Sequence, residues 1–380
     1  MTLTIEPVRN REALKEFIVL PRRLYHGMPG YVAPLDLERR QLLDPKKNPF
    51  FNHGSAAYWI ARRNGNAVGR ISAQIEQLVG QQTPPNLGLF GCLDSIDDGE
   101  VVKALLRTAE DWLQKRGRLY IRGPFLLSIN TEPGLLIEGH MELPVSLFAW
   151  HPPYLKKHLQ DAGYALAMRM FCHVLDFTKL SLERLEKVGT PRKGGNFAIR
   201  GMRLDNLHAD MEIGRQIFND GWKNNWGFVP ASESDIKTMV RRLKPFIFSD
   251  SGFFIDVAGE PAAFVLAIPN LFEISADLGP SPSMFGWLKL LFRIWRQRYR
   301  SFRVILVGIA SKYHDSILGA RLASAALEEL RRRGRARGID EVVSGWVVEN
   351  NYPMLRVVES LGFRPSRTYG VYERHLIKSG

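Results

Sequence analysis

Arg303-Val-Ile-Leu-Val-Gly-Ile-Ala310, Ser311-Lys-Tyr-His-Asp-Ser-Ile-Leu-Gly319 and Asn351-Tyr-Pro-Met-Leu-Arg-Val-Val-Glu-Ser-Leu-Gly-Phe363 are the segments whose order decides the fold. The first is an apolar run of strand length. The second is polar, ends in glycine and leads into a helical pattern over residues 320–333. A loop that brings unpaired N–H groups to a helix N-terminus suits an anion. A further strand reads from 341 to 348, and the third segment is a helix headed by Asn351 and closed by Gly362-Phe363.

The pattern upstream has the same grammar. Residues 197–203 read as a strand, 210–223 as a helix, and 252–258 with 261–268 as a hairpin turning at Gly259-Glu260. The first half runs likewise. A hairpin pairs 57–63 with 67–75 about Asn64-Gly-Asn66, and 87–93 is a strand. A helix then starts at Asp97-Asp98, with Val101, Leu105, Ala109 and Leu113 on one face. Residues 119–124 form a strand ending at Gly123-Pro124, and 154–162 a short helix. The 380 residues are long for one core. The expected architecture is α/β: two related units, 1–180 and 196–380, around a Gly-rich joint at 181–195. Each is a mixed, mostly antiparallel sheet flanked by helices.

Hydrophobic residues make up 45% and charged residues 24%, which excludes a disordered chain. Cys92 and Cys172 cannot build a disulfide framework and lack metal-type spacing, so both read as buried thiols and no metal is expected. Met-Thr-Leu-Thr-Ile-Glu-Pro is not a signal peptide, and no apolar run reaches ~18 residues. A cytoplasmic location is the expectation. The net charge of +13 is concentrated in two clusters. One holds Lys289, Arg293, Arg296, Arg298, Arg300 and Arg303, the other Arg331, Arg332, Arg333, Arg335 and Arg337. Nucleic acid, an anionic membrane or a polyanionic cofactor could account for them; a solvated helix end also explains the second. No nucleic-acid-binding signature accompanies the charge, which disfavours a regulator of that kind.

Residues 283–299 carry Phe285, Leu288, Leu291, Phe292, Trp295 and Tyr299 in an apolar stripe, widened by Trp287, Leu290 and Ile294. Basic residues lie opposite. That pattern fits a helix lying in an anionic membrane surface, or one packed on its own core.

The order of elements over residues 302–372 resembles the acyl-CoA-binding half of the GNAT acyltransferase superfamily. The resemblance implies that Val307, Gly308 and Ile309 run beside the pantetheine of acyl-CoA. Tyr313, His314, Ser316, Ile317, Leu318, Gly319 and Ala320 would hold its pyrophosphate. Asn351 would touch the pantetheine arm, or simply cap its helix. Two departures stand out: Asp315 lies in the phosphate loop, and Val358 occupies the place of the family's usual proton-donating tyrosine. Tyr369 and Tyr372 are candidate replacements, with packing as the alternative role. A thiolate leaving group with a conjugate acid near ~8.5 could also take its proton from water.

Asp220-Gly-Trp-Lys-Asn-Asn-Trp-Gly-Phe-Val-Pro230, Ile268-Pro-Asn270, Gly123-Pro124 and Asn130-Thr-Glu-Pro-Gly-Leu-Leu-Ile-Glu-Gly139 extend the likeness. They resemble a tandem-GNAT branch similar to the bacterial ceramide synthases. This implies transfer of a long acyl chain from acyl-CoA to the amine of a sphingoid base, at the inner-membrane surface. Trp222, Asn225, Trp226 and Asn270 would line the acceptor side, and Asp220, Glu273 or His314 would serve as base. The alternative within the superfamily is an amino acid or small amine as acceptor, with acyl carrier protein or acetyl-CoA as donor. The first unit would be a scaffold or the acceptor side.

Overall fold

Alternating apolar residues around Asn64-Gly65 fold as the hairpin β2 (Gly54–Arg63) and β3 (Asn66–Glu76), with Trp59 opposite Ile71. The protein is described by a computed structural model covering residues 2–78, 83–179, 197–248, 251–296 and 299–376. The expected joint at 181–195 lies outside the described residues.

The first half continues β1 (Leu3–Pro7), α1 (Arg11–Leu24), α2 (Asp36–Leu43), then β2 and β3, β4 (Leu87–Ser95), α3 (Gly99–Gln114) and β5 (Tyr120–Gly123). It closes with β6 (Leu135–Glu138), α4 (Tyr154–Asp161) and β7 (Ala165–Asp176). Asp98 caps α3 by accepting from the N–H groups of Glu100 and Val101, and Val101, Leu105, Ala109 and Leu113 are fully buried as the spacing predicts.

The second half repeats the plan: β8 (Phe197–Gly201), α5 (Leu207–Trp222), α6 (Glu233–Leu243), β9 (Gly252–Val257) and β10 (Glu260–Pro269). After a short helix α7 (Phe272–Ser275) come α8 (Met284–Arg296), β11 (Ser301–Ile309), α9 (Ile317–Ala336) and β12 (Glu341–Val343). Last are β13 (Val347–Val348), α10 (Tyr352–Ser360) and β14 (Arg364–His375). The single strand expected over 341–348 is broken. Pairing with β11 ends at Val343, while the chain stays beside β7 through the Ser344 N–H, which donates to His173 O (2.9 Å), and then through β13.

The two units share one sheet, in the order β1-β2-β3-β4-β5-β14-β7-β12-β11-β10-β9-β8. The last strands are exchanged. β14, from the end of the chain, lies between β5 and β7 of the first half, while β7 pairs with β12 of the second. β4 and β5 are parallel, as are β11 and β12. Every step between those two pairs is antiparallel, so β11 runs opposite to β4. The two parallel pairs therefore splay toward opposite ends of the sheet, about 20 Å apart across the intervening strands.

Candidate functional site: the cleft beside β11

β11 and β12 stay in register only from Ser301↔Glu341 to Arg303↔Val343. Beyond Arg303 the partner strand has left, and the edge of β11 from Val304 to Ile309 faces a cleft. α5 closes one side. A Cβ on Gly221 would lie 2.6 Å from Ile309 O, so glycine is what lets the helix come this near.

Five of the expected residues meet here. Trp222 stacks on Phe218 and donates from Nε1 to Val307 O at 2.7 Å. His314 donates from Nε2 to Ile309 O at 2.9 Å. Asn351 caps α10 through the Met354 N–H (3.2 Å) and reaches Asn225 Oδ1 at 3.4 Å. Asp220 accepts from the Ser311 N–H (2.6 Å), the Ser311 hydroxyl (2.9 Å) and Lys223 (2.8 Å). Partial burial would raise its pKa, but those bonds outweigh it and hold the carboxyl down at about 2. So weak a base suits a tether for the Ser311 turn better than a proton acceptor.

The α9 N-terminus carries the residues expected to hold the pyrophosphate. Ser316 caps it by accepting the Gly319 N–H (3.0 Å) and donates to Tyr313 O (2.7 Å). Leu318 and Tyr313 pack on the second-half core, whereas Ile317 is exposed. A Cβ on Gly319 would strike Tyr313 O at 2.1 Å, which explains that glycine by close approach. A strand edge beside a helix N-terminus fits the elongated, phosphate-bearing form of acyl-CoA.

The remaining candidates sit elsewhere. Glu273 accepts from the Arg300 N–H and the Ser301 hydroxyl at the far end of β11, about 26 Å of strand from Ile309. Asn270 is buried and bonds Pro144 O (2.9 Å) and the Ser146 N–H (3.3 Å), stitching the halves together. Trp226 packs against Arg122, whose guanidinium lies 4.5 Å over its ring. Tyr369 donates to Ala149 O (2.9 Å), and burial drives its pKa well above the ordinary value, so its proton is poorly placed for a thiolate. Tyr372 is buried in the first-half core.

Sequence reasoning misplaced one residue, Arg303, which it counted in the first basic cluster although it is buried, and it missed one cavity. Arg303, where β11 and β12 part, is buried with Nε and Nη1 lacking any hydrogen-bond partner. Its guanidinium lies 4.0 Å over Phe148 and 4.8 Å over Trp346, and burial pulls its pKa down to about 10. The cavity, of about 110 Å³, lies beside β4, in the first half. A charge inside an apolar strand run was the available signal for both Arg303 and Arg70.

No family model matches the chain. The bacterial ceramide synthase of Caulobacter vibrioides (strain NA1000 / CB15N) is 36% identical over 379 residues, covering 98% of both chains. Protein YghO of Escherichia coli (strain K12) is 35% identical over 367 residues, covering 97% of this chain and 94% of its own. Among solved structures, a tandem GNAT protein from the clavulanic acid biosynthesis pathway superposes over 100% of both chains with a TM-score of 0.61 at 12% identity. A GCN5-related N-acetyltransferase from Sphaerobacter thermophilus matches 98% of this chain and 96% of its own, with a TM-score of 0.54 at 9% identity. On a tandem GNAT fold, the chain belongs to the bacterial ceramide synthase family.

Proposed function

We infer that the protein is an N-acyltransferase of membrane surfaces that moves a long acyl chain from acyl-CoA to the amine of a sphingoid base. The observation that carries this reading is the unpaired β11 edge beside the α9 N-terminus, in a chain of this family. Acyl-CoA, as donor substrate, supplies the activated thioester carbonyl. Val307, Gly308 and Ile309 would lie along its pantetheine, with Trp222 and His314 shifting to share the carbonyls they now hold. The α9 N-terminus, with Lys312 nearby, would face its phosphates. The amine must arrive unprotonated, because only its lone pair attacks; a C–N bond forms, the C–S bond breaks, and the proton released from nitrogen balances the departing thiolate. The Asn351–Asn225 pair would border the thiol end.

The membrane part of the reading rests on α8. Trp287, Leu290 and Ile294 face the core, while Phe285 (77% exposed), Leu288, Phe292 and Trp295 (71%) face out. Lys289 and Arg293 pair with Asp277 beside that face. An outward stripe of aromatic and leucine side chains edged by cations suits an anionic bilayer. Among the described residues no helix is long and apolar enough to cross a membrane.

The test is acyl transfer by purified protein on phosphatidylglycerol vesicles, with palmitoyl-CoA and sphinganine or its 3-keto form. Thiol release with amide formation is expected. No release with any long-chain amine overturns the reading, and faster turnover of acetyl-CoA with small amines supports a small-molecule acceptor instead.

A further inference from the structure

The geometry points to the first-half cavity as the seat of the polar head of the amine-bearing lipid, drawn from the bilayer under α8. This rests on the function proposed above and assigns its acceptor to a place the β11 cleft does not contain.

The cavity lies where β4 parts from β5. Their register ends at Leu89↔Arg122, and Phe125 then crosses so close to β4 that a Cβ on Gly91 would meet its carbonyl oxygen at 1.7 Å. In the second half the matching splay leads to a helix whose cap is the neutral Ser316, with one carboxylate, Asp315, before it. In the first, Asp98 caps α3, and Asp97 stands beside it holding His158 (2.7 Å). Two carboxylates at a helix N-terminus repel phosphate, so the first half does not suit coenzyme A.

What lines the cavity describes another ligand. Arg39 forks onto Glu132 (2.8 and 2.5 Å) and Arg70 holds Asp94 (2.7 Å), all four groups largely buried. Arg22 pairs with Asp36 (2.8 Å) at the rim. Four arginines and four carboxylates line the cavity, so its formal charge is balanced. His151 accepts the Leu136 N–H on Nδ1 (3.2 Å), which leaves the proton on Nε2; burial pulls its pKa to about 4 and keeps the ring neutral. A charge-balanced, hydrogen-bonding wall excludes an acyl tail, which wants only apolar contacts, and offers no spare carboxylate to an ammonium. It suits a neutral polar head, an amine with neighbouring hydroxyl or carbonyl oxygens, and the neutral amine is the nucleophilic form. Set against the ~150 Å³ that encloses benzene, the volume of about 110 Å³ takes a head of roughly five heavy atoms and no chain.

The tail therefore leaves through the mouth, where the surface is apolar. Met141 and Leu143 are 72% and 73% exposed beside the lining residues Glu142 and Pro144. Phe272 lines the cavity too, and the segment after it runs to α8; the Asp36 N–H donates to Pro280 O (2.8 Å) along that wall. Inward, the cavity ends on Phe148, the ring under Arg303 where the β11 cleft begins. Phe148 and Arg303 would thus stand between the waiting head and the cleft assigned to the donor.

Ala33 and Ala149 line the cavity without joining an ion pair through their side chains, and Trp150 lines it as a reporter. Sphinganine in phosphatidylglycerol vesicles, without any acyl donor, should change tryptophan fluorescence, and Trp150→Phe should remove that change. Ala33→Leu, or Ala149→Leu should the first not fold, should weaken sphinganine binding and raise its KM about tenfold or more. Vesicle binding and the KM for acyl-CoA should not move. Unaltered sphinganine affinity in both folded variants, or a rise confined to acyl-CoA, overturns the assignment. Retained binding that Ala33→Leu weakens, in a protein that transfers no acyl group, leaves the cavity standing and overturns only the function proposed above.

Discussion

A carboxylate that receives three hydrogen bonds is a poor proton acceptor, and Asp220 receives two from Ser311 and one from Lys223. Its folded pKa of about 2 lies below the ordinary 3.8, so the stability it contributes is complete above the unfolded value and is lost as pH falls toward 2. Asp220→Asn should cost about 1 kcal/mol at neutral pH, a figure discounted for its exposure to solvent, and the cost should shrink between pH 4 and 2 in thermal melts. The acid limb of the pH–rate profile should stay in place; a base role would instead abolish activity at every pH. The Asn351 cap was legible because its partner lies three residues on, whereas the helix expected from 320 starts three residues earlier behind the Ser316 cap. The Arg39–Glu132 pair was not legible, since 93 residues separate its members and no local pattern joins them.

At the scale of elements, α8 was legible as amphipathic, but the division of its apolar residues was not. Tyr299, counted in the stripe, lies beyond α8 and is buried in the second-half core. Residues 287, 290 and 294 take the core, and 285, 288, 292 and 295 take the outside. A helix apolar over so wide an arc cannot tell by spacing alone which stripe finds the protein. Phe285→Ser with Trp295→Ser should lower partitioning onto anionic vesicles by at least roughly tenfold in co-sedimentation, since each side chain contributes ~1–2 kcal/mol on insertion. The melting temperature should barely change, because both rings are already in water. The second basic cluster has a different account: Arg331, Arg332, Arg333 and Arg335 pair with Glu328, Glu329 and Asp340 around their own helix end. That surface is closer to neutral than its composition implied. The break of the expected 341–348 strand lies where the chain parts from β11 while keeping β7, a tertiary pairing that no periodicity encodes.

For the whole molecule, the repetition of two α/β units was legible, whereas the exchange of β7 and β14 was not. Alternation tells which face of a strand is buried and says nothing of its neighbours. The exchange makes each half incomplete without the other, since β14 fills the gap between β5 and β7. A protease site inserted within residues 181–195 should therefore yield a nicked protein that elutes at the intact mass and unfolds in one transition. A chain lacking residues 364–376 should fail to fold either half, as read by circular dichroism. Two independent transitions in the nicked protein would show that the halves stand alone.

The position of β14 also sets an order in time. During translation the strand that completes the first half emerges after every other strand of the sheet, so the facing edges of β5 and β7 have no native partner until then. The first unit cannot mature as it is made, and both units must close together once that strand is free. Until then, two unpaired edges await any strand that reaches them, so the nascent chain relies on chaperone shielding or on fast closure.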